Sequence, residues 1–577
     1  MILMTPHFRK FSLPAAFALS LISPHAATHV TDIVVYGGTS AGVTAAVAAA
    51  REGATVALVE PGRHLGGMTS GGLGWTDFGT QSAIGGMARE FYQLIGAKYA
   101  TTIRWTFEPH VAESVFNEMS RTAGVQIFLN KRLVENTGTL KNGTSISQIT
   151  VEDGDIFQAR VFLDATYEGD LMAQAGVSYT WGREAGAQYG ESLAGVRPYT
   201  NKHQFPAGLD PYYLGLPLQE ILTTPRGIVG SGDQKVQAYN YRLCMTDNAA
   251  NRTPFVMPVN YDHARYQLLA RYINVLTAAA GGVAPPLTTV AKLDIIFGRK
   301  TDTNNNGGYS TDYIGHSWEY PEATYARRAQ LWAEHKDYLM GFWYFLQNDA
   351  WLPQAIRTSA LTWGLARDEF TDNGNWPFQL YVREARRMIG EYVMIQPDIQ
   401  TVRTKAEGVG MGSYNSDSHH VQRIINDSGF VENEGDMQVA VQPYEIPYRI
   451  LTPRRAQATN LLVPVCFSAS HVTYSTLRME PQYMILGQAA GIAAVMTFRA
   501  NATVQTIDVQ ALRSRLAALG ANLGSTPVTR VLLTHPFGKS DQSKQPFYFL
   551  INGVKEFGIP SKQPILTPVH LAPGTGG

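Results

Sequence analysis

Cysteine is almost missing from this chain of 577 residues, which carries only Cys244 and Cys466. Two thiols can neither build a disulfide framework nor supply the four ligands of an iron–sulfur cluster. An excess of either charge is missing too, because lysine plus arginine equals aspartate plus glutamate at 47 each. No long-range field favours nucleic acid or an acidic membrane surface, so the expected partner is a small molecule. The apolar run at the N-terminus, Phe11 to Ile22, is too short to cross a bilayer, which takes about 20 residues. It follows Arg9 and Lys10 and precedes Ser23-Pro24-His25-Ala26-Ala27, the layout of an export signal. Residues 1–27 are expected to be a signal peptide and the mature protein to be secreted or periplasmic, with no membrane span left after removal. Arg9-Lys10 is not a twin arginine, so export in a folded state is not indicated. No G-x-S-x-G elbow supports a serine hydrolase, and no repeat of 20–50 residues is apparent.

Glycine, in contrast, is plentiful and placed. Thr31-Asp32-Ile33-Val34-Val35-Tyr36 reads as a short apolar strand running into the turn Gly37-Gly38-Thr39-Ser40-Ala41-Gly42. The turn opens an alanine-rich helix, Val43 to Arg51, which Gly53 can stop in a left-handed conformation. A second apolar strand follows and ends in Glu60. A helix N-terminus offers backbone N–H groups and a positive dipole end to a pyrophosphate, and an acid at the second strand end can accept hydrogen bonds from an adenosine ribose. Gly37 and Gly42 take the first and third positions of the usual G-x-G-x-x-G, while Thr39 holds the middle one. The bland alternative is an ordinary βαβ unit with a tight turn.

The loop after Glu60 is rich in glycine and contains Leu65-Gly66-Gly67-Met68, so little side chain keeps a ligand from the backbone there. Helices are expected over Gly86 to Tyr99 and His110 to Thr122, and strands over Val125 to Leu129, Ser145 to Val151 and Gln158 to Leu163. The last of these runs into Asp164-Ala165-Thr166. This order of glycine turn, glutamate-terminated strand, Leu65-Gly66-Gly67-Met68 loop and Asp164-Ala165-Thr166 strand end resembles the FAD-dependent oxidoreductases of the glutathione-reductase-like superfamily. More narrowly, it is similar to the family labelled simply FAD-dependent oxidoreductase, some members of which carry the name xanthan lyase. The Tyr36-Gly37-Gly38-Thr39-Ser40-Ala41-Gly42 variant, Thr39 included, is similar to that family's own pattern.

The resemblance implies an α/β fold with FAD as cofactor. It also implies cofactor contacts from Gly37, Gly38, Thr39, Ser40, Ala41, Gly42, Glu60, Gly67, Met68, Ala165 and Gly487. A Rossmann-like FAD-binding domain would occupy residues 28–190 and 401–505, interrupted by a mixed α+β substrate or cap domain at 191–400 and followed by a C-terminal extension at 506–577. The middle stretch fits that expectation, since glycine turns give way to aromatic and charged segments and a helical run, Tyr320 to Asn348. Most of its aromatics are expected in the core. Tyr381 to Gly390, with Arg383, Arg386 and Arg387, reads as a solvated, salt-bridged helix face from which one arginine could turn inward to bind a substrate carboxylate.

The segment Ser470 to Ala494 is the second strong signal. Pro481 suits the first turn of a helix, Gln482 to Phe498, made thin by Gly487 and Gly491. The resemblance points the N-terminus of that helix at the flavin pyrimidine edge. His471 and Arg478 precede it and are the leading catalytic candidates, His471 as proton acceptor and Arg478 as cationic clamp. The plainer readings are a core histidine satisfied by backbone and an Arg478–Glu480 ion pair. His419 and Tyr414 lie in a polar loop that the resemblance places on the active-site side. His419 and His420 would point apart on a strand, and no metal site is expected. His64 occupies a loop in which some flavoproteins attach the flavin covalently, but its spacing to Gly71-Gly72 does not match theirs.

The expected function is FAD-dependent hydride transfer between a small organic substrate, a carbohydrate or polyol, and flavin N5. No second glycine fingerprint for NAD(P)H is visible, which leaves oxygen, a quinone or a redox protein as electron acceptor. One alternative is a polysaccharide lyase acting on uronates, with a structural dinucleotide, the arginines 383–387 and Tyr414 as base. Another is a non-catalytic sugar-binding protein.

Overall fold

A computed structural model describes residues 26–400, 402–403 and 405–524, together with two short strands further on. The expected signal peptide lies, but for its last two residues, outside the described residues, as does the glycine-rich end Pro573 to Gly577. Residues up to Gly524 form one compact unit and Ser525–Gly577 a second. Of the second, the strands Arg530–Leu532 and Tyr548–Leu550 are described, paired antiparallel. Among the described residues no helix is long and apolar enough to cross a membrane.

The first unit is built around a five-stranded parallel sheet, in the order Leu461–Leu462, Val161–Asp164, Ile33–Tyr36, Val56–Val59, Gln126–Phe128. Ile33–Tyr36 and both its neighbours are wholly buried. This is why they read as unbroken apolar runs: a strand covered on both faces has no polar side to show. Registration places Tyr36 beside Val59 on one side and Asp164 on the other, so the glycine turn, Glu60 and Ala165 all leave the same edge of the sheet.

The helix Ser40–Arg51 leaves that edge and crosses the helix Glu480–Arg499 at very close range. A Cβ on Gly487 would stand 2.3 Å from the Ala41 carbonyl oxygen, and one on Gly491 2.2 Å from that of Ala45. Glycine is required at both positions because backbone fills the space a side chain would take.

The expected strand Gln158 to Leu163 is in fact two. Ile156–Gln158 joins a four-stranded sheet with Thr28–Val30, Ser145–Thr150 and Thr139–Asn142, while Val161–Asp164 enters the parallel sheet. The chain changes sheets at Arg160, where the amides of Arg160 and Val161 both donate to the Asp32 carbonyl. Periodicity cannot separate two collinear apolar pieces that pair with different partners.

A five-stranded antiparallel sheet, ordered Arg252–Thr253, Gly364–Ala366, Leu243–Thr246, Lys300–Asn305, Ala291–Ile295, occupies the middle of the chain. The 24-residue helix Tyr325–Asn348 belongs to the same region. One continuous apolar cluster joins Val35 and Val43 to Leu339 and Trp343 of that helix. The helix Val509–Ala518 packs on Glu480–Arg499.

Candidate functional site

Gly37 sits at φ +99°, with Ala165 and Thr166 2.8 Å from where its Cβ would be, so only glycine fits. Thr39 caps the helix that follows: its Oγ1 accepts from the Gly42 amide at 3.3 Å and donates to the Ala165 carbonyl at 2.7 Å. The hydroxyl is directed at the neighbouring strand end, so a threonine at the middle glycine position costs no access to the amides. Glu60 grips the turn from the other side, accepting from the Gly38 and Gly62 amides at 2.5 Å each. Burial pushes its carboxyl up to about 7 against the pull of those two amides.

Gly37, Thr39, Glu60, Gly62 and Thr166 line a cavity of about 620 Å³. That lies within the range of roughly 300–1,000 Å³ typical of cofactor sites. Gly37, Thr39, Glu60, Gly67 and Tyr167 line one part of it, and Tyr325, Arg328, Trp332 and Lys336 of the helix Tyr325–Asn348 line another. Gly67 lines the cavity at φ +55°, and the Met68 amide donates to the Tyr167 hydroxyl at 2.9 Å. Sequence reasoning did not foresee that second part, since nothing in the spacing of Tyr325, Arg328, Trp332 and Lys336 marks them as other than one helix face. The cavity fits a dinucleotide: amides at a helix start for the phosphates, a buried acid beside them, and glycines where backbone must come close.

Glu480 ties the parts together. Its Oε2 accepts from Ser40 Oγ at 2.6 Å and Thr69 Oγ1 at 2.7 Å, and its Oε1 from the Tyr167 hydroxyl at 2.8 Å. Arg478 points elsewhere, donating to the Tyr381 hydroxyl at 2.9 Å and the Asp417 carbonyl at 2.7 Å. The simple Arg478–Glu480 pair is therefore not formed.

Arg478 enters a polar cluster behind the glycine loop. Three guanidinium carbons lie over the Tyr381 ring, Arg383 at 4.8 Å, Arg478 at 5.8 Å and Arg242 at 5.9 Å from its centre. Arg242 forks onto Asp302 at 2.6 and 2.7 Å, and Arg383 meets Asp312 at 2.9 Å. The other Asp312 oxygen lies 2.7 Å from His419 Nδ1. Burial opposes ionisation of Asp312, but Arg383 and His419 outweigh it and hold the carboxyl far below its usual range. Burial also pulls the His419 ring down, favouring its neutral form. His419 Nε2 faces the Asp417 carboxylate at 4.0 Å. Tyr414 donates to Asp77 at 3.1 Å, and the Asp77 charge followed by burial drives the phenol well up.

The structure thus brings Arg478, His419 and Tyr414 into one cluster and places His471 in the next. His471 starts its own short helix, His471–Leu477, with its amide on Glu184 at 2.9 Å and Nδ1 on Glu384 at 2.8 Å. Its partners are carboxylates rather than backbone. Burial of Glu384 is outweighed by His471 and Arg387, which hold that acid down at about 2. Gln237 bridges the two clusters, its amide on Glu384 at 3.0 Å and its Oε1 on the His419 amide at 3.1 Å.

Asp312, Asp77 and Tyr381 were not singled out as site residues. Asp312 precedes His419 by 107 residues, a separation no motif spans. The reading of 381–390 as a solvated helix face is corrected: the segment is extended, and Arg383 and Arg387 are fully buried. Each has a buried carboxylate and carbonyls within reach, which is what a buried guanidinium demands.

Other candidates resolve locally. His420 meets the Lys202 carbonyl at 3.0 Å, away from the partners of His419. His64 stacks on Phe378 at 4.0 Å with Glu113 2.9 Å from its Nδ1. Cys244 and Cys466 are both free and buried. Glu108, His110 and Glu369 cluster at metal-ligand spacing, but the Lys300 ammonium bonds both carboxylates at 2.6 Å and supplies the cation itself.

The family model described as FAD dependent oxidoreductase matches residues 32–516. The chain belongs to this family. It is an FAD-dependent oxidoreductase, and its cofactor is FAD. The match takes in the glycine turn, Glu60, the polar cluster and the Glu480–Arg499 helix. No curated protein sequence matches the chain. Solved structures overlap it only in part. The L-amino acid deaminase from Proteus vulgaris is 15% identical over 27% of this chain and 53% of its own, with a TM-score of 0.22. The L-proline dehydrogenase from P. horikoshii is 14% identical over 27% of this chain and 59% of its own, at 0.22. The T. acidophilum thioredoxin reductase is 18% identical over 24% and 35%, at 0.16. Scores this low carry no conclusion about fold or substrate.

Proposed function

We propose that this FAD-dependent oxidoreductase of the glutathione-reductase-like superfamily oxidises a small hydroxylated substrate, a polyol or carbohydrate, and that His419 is its proton acceptor. The observation that carries the reading is the line Arg383–Asp312–His419, in which a charge-paired carboxylate fixes one ring nitrogen and leaves Nε2 toward Asp417 at 4.0 Å. FAD, when bound, supplies the two-electron acceptor for the hydride. The turn Gly37–Gly42 holds its pyrophosphate, Glu60 its ribose, and Gly67, Met68 and Ala165 the stretch beyond, with Gly487 keeping the facing helix close. Oxidising an alcohol requires removal of the hydroxyl proton, and a neutral, buried imidazole oriented by a carboxylate suits that task. Asp77 and Asp417 offer acceptor oxygens to further hydroxyls, and the half-exposed Trp75 offers an apolar face. Arg478 holds the Asp417 segment in place. Residues 191–400 serve as the substrate domain, the protein works after export, and electrons pass on to oxygen, a quinone or a redox protein.

The lyase alternative needs Tyr414 as base and free arginines for a uronate. Tyr414 is held protonated by its Asp77 neighbour, and Arg383 and Arg387 are already paired. Anaerobic mixing of the holoprotein with polyols and with uronate oligomers tests the proposal. Bleaching of the flavin absorbance by a polyol is expected. An unsaturated uronate product formed without bleaching would replace the reading with the lyase, and a colourless purified protein unable to take up FAD would leave only the sugar-binding alternative.

A further inference from the structure

The wall of the cofactor cavity supplied by the helix Tyr325–Asn348 contains a cation with nothing to neutralise it. Lys336 lines the cavity together with Gly37, Thr39, Gly62 and Gly67. Its ammonium stands 5.3 Å above the Trp376 ring, and it is half-buried with no carboxylate partner among the described residues. Every arginine on the same cavity is committed: Arg63 faces Asp372 at 3.3 Å, Arg132 meets Glu152 at 2.9 Å and Arg328 meets Asp170 at 2.7 Å. The lining acids are committed as well. Glu60 takes two amides, Glu168 takes the Tyr320 hydroxyl at 2.9 Å, and Asp170 takes Arg386 in addition at 2.6 Å.

We propose that Lys336 is an anion-binding residue of the cofactor site and pairs with the pyrophosphate of bound FAD. A lysine with no carboxylate partner is free to meet an anion, and a dinucleotide entering this cavity brings two negative charges to the glycine turn that lines it. The helix start at Ser40 supplies hydrogen-bond donors and half a charge, too little to neutralise a pyrophosphate alone. Lysine acts there as a point charge on a flexible stem, with the Trp376 ring under its ammonium. The cofactor site is then shared between the glycine-turn fold and the middle of the chain. Occupancy by FAD ties the helix Tyr325–Asn348 to the parallel sheet.

The test is FAD affinity rather than turnover. Flavin-free protein is titrated with FAD, with ADP and with riboflavin at low and high salt, for wild type, Lys336→Gln and Lys336→Arg. Lys336→Gln should bind FAD and ADP about 10-fold more weakly, show a flatter dependence on salt, and bind riboflavin as wild type does. Lys336→Arg should retain most of the affinity. FAD and ADP affinities unchanged in Lys336→Gln at both salt concentrations would overturn the proposal. So would an equal loss for riboflavin, which has no phosphate, and so would a lowered melting temperature of the flavin-free protein with ADP binding intact, the result for a lysine that only packs on Trp376.

Discussion

His419 Nδ1 and Asp312 Oδ2 lie 2.7 Å apart, 107 residues apart in the chain, and the second oxygen of that carboxylate is held by Arg383 at 2.9 Å. The pair decides which nitrogen of the ring carries a proton and which is free. Asp312→Asn keeps the shape but can present the wrong partner to Nδ1. Flavin reduction by substrate should slow by about 100-fold or more, with FAD affinity unchanged, as stopped-flow absorbance reports. Because burial lowers the His419 pKa, the acid limb of the wild-type rate profile should fall below the ordinary histidine value of about 6.5. The base must be neutral to act, so a lower pKa moves that limb to lower pH.

His471 gives the opposite pattern. It is buried and sits 2.8 Å from Glu384 with Glu184 on its amide, so His471→Leu leaves Glu384 short of a partner. Leaving a buried charged acceptor short of one hydrogen bond costs about 1.5–3 kcal/mol. Chemical denaturation of His471→Leu should show a loss of that order, whereas His419→Gln should lose catalysis with stability nearly intact.

Glu60 makes stability depend on pH. Its folded pKa of about 7 is above that of an unfolded glutamate, so the folded state binds more protons between the two values. The stability it contributes is fully present below about pH 4.5 and is lost as pH rises through 7. At about 1.4 kcal/mol per unit, the change is about 3.5 kcal/mol at most. Glu60→Gln in the flavin-free protein should remove that slope, measured as melting temperature from pH 4 to pH 8.

Gly487→Val should be severe. Its Cβ alone would stand 2.3 Å from the Ala41 carbonyl oxygen, and backbone cannot step aside as a side chain can. Separating the two helices should cost about 3 kcal/mol or more and loosen FAD with it, since Ser40 and Glu480 sit at their shared end. Urea denaturation and flavin retention on gel filtration read both effects.

Much of the dinucleotide half of the site was legible because local chemistry makes it. A strand buried on both faces reads as an apolar run, a turn at φ +99° demands glycine at 37, and close helix crossing demands glycine at 487 and 491. Thr39 looked like a departure until its hydroxyl was found capping the helix from Ala165, a contact across 126 residues. The Tyr381 to Gly390 segment misled for a related reason. Three arginines with one glutamate resemble a wet helix face, and only the positions of Asp312, Glu184 and Asp170 make burial of its three guanidiniums affordable.

By itself, the sequence determined the glycine turn, the acid at Glu60, the small-residue helix and the histidines worth weighing, because each depends on neighbours a few residues away. The tertiary structure alone decided which acid each histidine meets, what Arg478 holds and which helix lines the cavity. Those outcomes rest on pairings such as His419 with Asp312, and a charge is settled by whatever partner folding brings within 3 Å rather than by distance along the chain.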